Sequence, residues 1–388
     1  MNRSPLFFLA LTLSFSTTMT AGSVLPEAAR SPVPPPPLEA KSWLLIDHET
    51  GTILAEHNVD ERVEPASLTK MMTTFVVLER IRDGALRIED DALVSDKAWK
   101  TGGSKMFIEV NKRVSIEDLL KGVIIQSGND ASIALAEHVA GSETGFATMM
   151  NEAAHRLGMT NSHFTNSTGL PDEEQYSTAK DLTLLSSALI REFPDHYSWH
   201  AIKEFTYSGI KQLNRNLLLW RDRTVDGIKT GYTQAAGYCL IASAKRGEMR
   251  LIATVLGAGS IRERTSQVQS LLAFGYAAYE LPELFAAEEV IEHAELFFAE
   301  QETVAVGFAE GLTLLVPKGQ TSKLTKQLTL RAPLKAPLVR GAPVGTMTLS
   351  LKGEVLGKYP VVALSNIKSG GWWNWIEDTI RLWFYRSI

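Results

Sequence analysis

PASLTKMMTTF, Pro65 to Phe75, places a serine three residues ahead of a lysine at the head of an apolar run. The run continues as VVLERI, and Leu68, Met71, Met72, Phe75, Val76, Leu78 and Ile81 recur at helical spacing. The stretch predicts a helix with Ser67 at its N-terminus, where free backbone N–H groups and the positive end of the dipole favour an oxyanion. Lys70 follows one turn on, on the same face. A serine hydroxyl is a poor nucleophile without a base to take its proton. A lysine is that base only where burial or a neighbouring cation lowers its pKa, and the flanking Met71, Met72, Phe75 and Val76 supply an apolar setting. The pattern alone is weak, because Ser-x-x-Lys is more often a helix cap followed by a surface lysine. It recurs at Ser177–Lys180, which heads a more charged helix, and at Ser365–Lys368, just before the tail.

Working outward, 388 residues favour two domains over one core. Hydrophobic residues make up 45% and charged residues 21%, a globular balance. A net charge of −5 argues against nucleic acid as a partner. The single cysteine, Cys239, excludes an intrachain disulfide and lies in an apolar strand, which reads as core. Residues 1–21 read as an export signal: Arg3, an apolar run from Leu6 to Phe15, then small residues ending near Ala21. That run is too short to span a bilayer. Residues 22–40 contain four consecutive prolines and read as a spacer.

Residues 41–281 predict an α+β domain. A hairpin starts at Trp43, helical runs fill the middle, and an antiparallel set follows in TVDGIKTGYTQAAGYCLIASAKRGEMRLIATVLG, closed by a helix over TSQVQSLLAFGYAAYEL. Strands at both ends with helices between them predict one sheet built from both ends. IEDLLKGVIIQS reads as one of the helices. Residues 282–366 are short, β-rich and turn-punctuated, which predicts a small all-β domain. Residues 367–388 form an amphipathic helix pattern. Trp372, Trp373, Ile376, Ile380, Trp383 and Phe384 share one face, and Asn374, Asp378, Arg381 and Tyr385 oppose them. Tryptophans on a short charged helix suit a membrane surface rather than a span; packing on its own domain is the alternative.

Two further elements accompany Ser67. Ser127-Gly128-Asn129 breaks two helical runs and reads either as a cleft loop or as a helix stop and restart. Lys-Thr-Gly occurs twice. Lys100-Thr101-Gly102 opens a loop, whereas Lys229-Thr230-Gly231 lies in a strand-turn-strand. Beside a helix N-terminus an edge strand can offer Lys229 and Thr230 to a substrate carboxylate. Gly231 allows close approach, and the following backbone N–H can complete an oxyanion hole.

Ser67-x-x-Lys70, Ser127-Gly128-Asn129 and Lys229-Thr230-Gly231, in that order, are the trio found in class A β-lactamases and penicillin-binding proteins. With PASLTKMMT, SGNDAS, TNSTGLPDEEQYSTAKDL, DGIKTGYT and APLKAPLVRGAPVGT, the chain resembles the low-molecular-mass penicillin-binding proteins that are D-alanyl-D-alanine carboxypeptidases. The resemblance runs from about Trp43 to the C-terminus. It implies a β-lactamase/transpeptidase-like domain, a β domain and an amphipathic anchor at the outer, periplasmic face of the cytoplasmic membrane. It implies peptidoglycan stem peptides as substrate and β-lactams as inhibitors, with no metal and no cofactor. By that resemblance Ser67 is the acylated nucleophile and Lys70 its base, with Ser127 and Lys229 relaying the proton to the leaving D-alanine. Asn129 holds the substrate amide, and Thr230 with Arg264 binds the terminal carboxylate; Arg262 lies close enough to compete for that assignment. The backbone N–H groups of Ser67 and Tyr232 form the oxyanion hole.

One position departs from the pattern: Tyr232 stands where close relatives often carry histidine. The class A deacylating glutamate of Glu-x-x-Leu-Asn is also missing, since Ile210 holds that spacing before Leu213-Asn214. That argues for a penicillin-inhibited enzyme over a β-lactamase. A D,D-endopeptidase and a non-catalytic peptidoglycan-binding protein are the remaining rivals. His196 and His200, four residues apart, lack an HExxH glutamate and read as surface or packing residues.

Overall fold

A computed structural model describes Ser31 and residues 33–385. The expected export signal lies outside the described residues, as does much of the spacer.

The two ends of the first domain meet in one antiparallel sheet. β1 (Ser42–Asp47) and β2 (Ile53–His57) form the hairpin. The other edge of β1 pairs with β5 (Met249–Ala258), which pairs with β4 (Gly237–Arg246), which pairs with β3 (Val225–Thr233). The order is β2-β1-β5-β4-β3, so β3 is an edge strand. Alternation along β1 assigns its side chains to opposite faces. Leu44 and Ile46 join a core with the helical cluster, while Trp43 and Leu45 join a second core on the other side.

The helical cluster contains α1 (Thr69–Arg82), α2 (Asn129–Ala140), α3 (Glu143–Arg156) and α4 (Ala179–Glu192). α1 is central: every residue from Thr69 to Glu79 is buried. The helix is enclosed nearly all round although Thr69, Thr73, Thr74 and Glu79 are polar, and Lys70 is enclosed with it. α5 (Ile261–Ala278) covers the opposite face of the sheet, its start capped by Ser260, which accepts from Glu263 N at 3.1 Å.

The helix expected over IEDLLKGVIIQS divides. Ile116–Lys121 is α-helical, and Gly122–Gln126 widens into a π turn that ends with Ser127 in the left-handed conformation, φ +67°. Met106 packs directly on Gly122, where a larger residue would collide with its side chain. Wide turns of this kind interrupt the helical ladder and redirect the chain; here Ser127 leaves the helix path. The chain also docks before Lys41: Ala40 is buried and its N–H donates to Gln267 Oε1 at 3.1 Å.

Beyond α5 the chain is β-rich. A six-stranded sheet runs in the order Leu324–Leu330, Pro343–Leu351, Glu354–Ala363, Thr303–Gly307, Val290–Phe297, Leu334–Lys335. Tyr279–Glu280, directly after α5, pairs with Val316–Pro317 and straps the two regions together. α6 (Trp372–Tyr385) then docks by its polar side. Asp378 is buried and accepts from Phe298 N, and Arg381 pairs with Glu295 at 2.5 Å. Trp372, Trp373, Trp375 and Ile380 face outward, exposed. Among the described residues no helix is long and apolar enough to cross a membrane.

Phe75 anchors α1, fully buried and edge-on to Phe193 at 5.3 Å between centroids. Phe75→Ala is expected to lose about 3–5 kcal/mol of stability. The exposed Trp99, replaced by alanine, should move it by less than about 0.5 kcal/mol. Urea midpoints of the two variants check the difference.

Candidate active site

Ser67 sits in a single turn, Ala66–Leu68, that feeds α1. Two glycines let other segments press on this turn. A Cβ on Gly231 would lie 3.2 Å from Pro65 O and 3.3 Å from Ala66 Cβ, so the edge strand β3 comes as close as a strand can. Gly169, at φ +78°, lies where any Cβ would overlap the Ala66 carbonyl. The Gly169 loop is tightly wired: Asn166 Oδ1 accepts from Thr168 N at 3.1 Å and Gly169 N at 2.8 Å. Ser167 donates through both N and Oγ to Glu143 Oε1, at 3.0 and 2.7 Å. The result aims the Thr168 carbonyl at Lys70.

The Lys70 amine is completely buried and has three neighbours. It lies 2.5 Å from Thr168 O, 2.7 Å from Asn129 Oδ1 and 3.2 Å from Ser67 Oγ. Asn129 Nδ2 donates to Gly102 O at 2.7 Å, which fixes the amide so that its oxygen faces the lysine. A neutral amine has two protons, and the two carbonyl oxygens accept both. The remaining tetrahedral direction, toward Ser67 Oγ, carries the lone pair. Burial first, and the Arg215 cation second, bring Lys70 down to about 7, against opposing pulls from Asp130 and Glu143.

On the other side, Lys229 Nζ donates to Ser127 Oγ at 2.8 Å and to Thr230 O at 3.2 Å. Burial first, then the neighbouring Lys70, Arg215 and Arg264, hold it well below the ordinary lysine range. Arg264 projects from α5 beneath β3; its Nη1 donates to Gly231 O at 3.0 Å and Cys239 O at 3.2 Å. Arg262 points outward, which separates the two arginines.

A cleft of about 780 Å³ joins Ser67, Ser127, Thr230, Gly231, Tyr232 and Arg264. It also takes in Ser104, Arg215 and Tyr238, which no motif singled out. Tyr232, more than half exposed, leans on Tyr238 at 4.4 Å between ring centroids. Of the motif residues, Asn129 is turned inward. Both ends of its amide are engaged by Lys70 and Gly102, so its visible task is to orient the lysine.

The competing readings fall elsewhere. Lys100 pairs with Asp96 at 2.7 Å on a surface helix, and Ser177 Oγ bonds Ser162 Oγ at 2.7 Å. His200 is buried, its Nδ1 3.0 Å from Ile228 O, and His196 packs edge-on against Trp199. Cys239 is buried in β4. Among the described residues no group of three or more His, Cys, Asp or Glu is placed to hold a metal.

A serine on a helix-leading turn, facing a buried amine, under a sheet edge bearing Lys-Thr-Gly, defines a serine acyl-transfer enzyme of the penicillin-recognising type. Comparison with known proteins places it further. Residues 28–260 match the D-alanyl-D-alanine carboxypeptidase family, and residues 279–369 match the penicillin-binding protein 5 C-terminal domain. D-alanyl-D-alanine carboxypeptidase DacC of Escherichia coli K12 is 41% identical over 367 residues, 92% of each chain. DacA of the same organism is 38% identical over 358 residues, covering 90% of this chain and 89% of that one. The crystal structure of penicillin-binding protein 5 from Haemophilus influenzae superposes with a TM-score of 0.79 at 36% identity, over 87% of this chain and all of that one. The chain belongs to the D-alanyl-D-alanine carboxypeptidase family.

Only the unprotonated amine of Lys70 can accept the Ser67 proton. With its pKa at about 7, the rate of acylation by a fluorescent penicillin is expected to rise roughly tenfold from pH 6 to pH 8 and level off above that. Stopped-flow labelling across that range checks the midpoint.

Proposed function

We propose that this chain is an exported, serine-type carboxypeptidase that removes the terminal D-alanine from peptidoglycan stem peptides through an acyl-enzyme. The observation that carries this reading is the buried Lys70 amine, 3.2 Å from Ser67 Oγ and held by Asn129 Oδ1 and Thr168 O at 2.7 and 2.5 Å.

Ser67 Oγ attacks the carbonyl between the two terminal D-alanines as Lys70 takes its proton. The oxyanion forms against the backbone N–H groups of Ser67 and Tyr232. The Ser127–Lys229 pair, at 2.8 Å, passes a proton to the leaving D-alanine nitrogen. Thr230 and Arg264 form the wall that the terminal carboxylate meets. Water then releases the shortened peptide. A β-lactam enters the same attack, but its acyl group stays in the cleft. The position of the class A deacylating glutamate is held by Ile210, on a hairpin whose neighbouring Asn214 is buried as a structural residue.

Export and peripheral attachment to the membrane surface complete the reading. The outward tryptophans of α6, together with a polar side already committed to Asp378 and Arg381 contacts, support a helix lying in the headgroup layer.

The wild type should release D-alanine from diacetyl-L-lysyl-D-alanyl-D-alanine and lose that activity to penicillin. Ser67→Ala should retain its urea midpoint but lose both D-alanine release and fluorescent penicillin labelling. Rapid turnover of benzylpenicillin by the wild type would contradict the long-lived acyl-enzyme. For the anchor, replacing Trp372, Trp373 and Ile380 together by serine should abolish co-sedimentation with anionic phospholipid vesicles while leaving release from the soluble tripeptide within about twofold.

A further inference from the structure

The two carbonyl oxygens that hold Lys70 belong to separate segments, and each segment is steered from outside the cleft. Asn129 Oδ1 is turned to the amine by Gly102 O, which accepts from Asn129 Nδ2 at 2.7 Å. Gly102 follows the short helix Asp96–Lys100 and its C-cap, Thr101. Thr168 O belongs to a stretch fixed from both sides. Glu143 Oε1 accepts from Ser167 N and Oγ at 3.0 and 2.7 Å. Thr73 Oγ1, one turn along α1 from Lys70, donates to Ser167 O at 2.7 Å.

One ion pair joins the two segments. Lys97, on the short helix, meets Glu143, the first residue of α3, at 2.7 Å. Both line a groove of about 410 Å³ that also takes in Thr101 and Thr168. The Lys97 side chain is mostly exposed, whereas that of Glu143 is largely buried. An exposed pair adds little to stability, but a carboxylate set into the interior acts on other buried charges with less screening. Burial pushes the Glu143 carboxyl up; the bonds from Lys97 and Ser167 outweigh it and hold the group below its ordinary range, so the charge is present at neutral pH.

The charged groups that act on Lys70 are few. Arg215 and Lys229 disfavour its protonation, while Asp130 on α2 and Glu143 on α3 favour it. The Asp130 carboxylate is occupied within the fold, accepting from Met106 N and Phe107 N at 2.8 Å each. Among the described residues Glu143 is the only one of these four in an ion pair.

We propose that the Lys97–Glu143 pair sets the basicity of Lys70 from outside the cleft. Glu143 is a positioning residue that aims the Thr168 carbonyl and places a negative charge near the amine, and Lys97 offsets that charge. Neither residue touches substrate. The proposal rests on Lys70 as the base for Ser67 within the carboxypeptidase reading. Removing the Lys97 charge leaves Glu143 uncompensated and favours the protonated amine. Removing the Glu143 charge does the reverse.

The test uses the full chain with Lys97→Arg, Lys97→Met, Lys97→Glu and Glu143→Gln, and reads the pH midpoint of acylation by a fluorescent penicillin. Lys97→Met is expected to raise the midpoint by about half a unit and Lys97→Glu to raise it further, while Lys97→Arg keeps the wild-type value. Glu143→Gln, whose amide oxygen can still accept from Ser167, is expected to lower it. A merely structural pair would shift Lys97→Met and Glu143→Gln in the same direction, or neither, and either result overturns the proposal. Should Glu143→Gln fail to fold, by its urea midpoint, the ordered rise through the Lys97 series decides alone, and its absence overturns the proposal. D-alanine release from diacetyl-L-lysyl-D-alanyl-D-alanine separates the two readings. Unchanged midpoints in variants that release D-alanine overturn only the role of the pair. The expected midpoints in a protein that releases none overturn only the carboxypeptidase reading.

Discussion

One amine, buried without a counter-ion at contact distance, organises this protein. A lysine taken wholly out of water is costly if it stays charged. Lys70 escapes that cost by losing its proton near neutrality and by giving its remaining N–H groups to two carbonyl oxygens. Those acceptors come from different parts of the chain, Asn129 at the start of α2 and Thr168 in the Gly169 loop. The neutral state that makes burial tolerable is also the state that can deprotonate Ser67, so folding and reactivity depend on the same contacts.

The surroundings follow from that demand. α1 is enclosed on all sides because its first turn carries the amine into the interior. Asn129 is reached only because the chain leaves the Gly122–Gln126 turn with Ser127 in a left-handed conformation, which starts α2 in a new direction. Gly169 and Gly231 remove the two side chains that would hold the loop and the sheet edge away from the Ser67 turn. Glu143 and Asn166 fix the loop from behind. Little of this framework touches the cleft directly, yet each part sets the position of an atom that does.

The far end of the chain uses a related economy of polar contacts. α6 turns Asp378 and Arg381 toward the Val290–Phe297 strand and its following residue, so Asp378 is satisfied by a buried backbone N–H, Arg381 pairs with Glu295 at the surface, and the aromatic side remains outside. A helix docked by its polar side inverts the usual amphipathic arrangement, in which the apolar stripe seeks the core.

Much was legible in the chain. Periodicity marked α1, α4 and α5; alternation and turn residues marked β1 to β5; and the pairing of the N-terminal hairpin with the late strands followed from strands flanking a helical middle. Ser67, Ser127 and Lys229 stood out because three weak motifs in one order are stronger than any alone; the structure brings Ser67 and Ser127 to one cleft, with Lys229 buried behind it and donating to Ser127. Local sequence determined these features because helix and strand periods are properties of neighbouring residues. Tertiary structure alone decided the rest. That Asn129 faces inward to Lys70, that Thr168 supplies a carbonyl, and that Arg264 rather than Arg262 reaches β3 all depend on segments between 33 and 98 residues apart in sequence. Such contacts leave no period and no spacing to read, since hydrogen bonds across a fold depend on where whole elements pack rather than on the residues beside them.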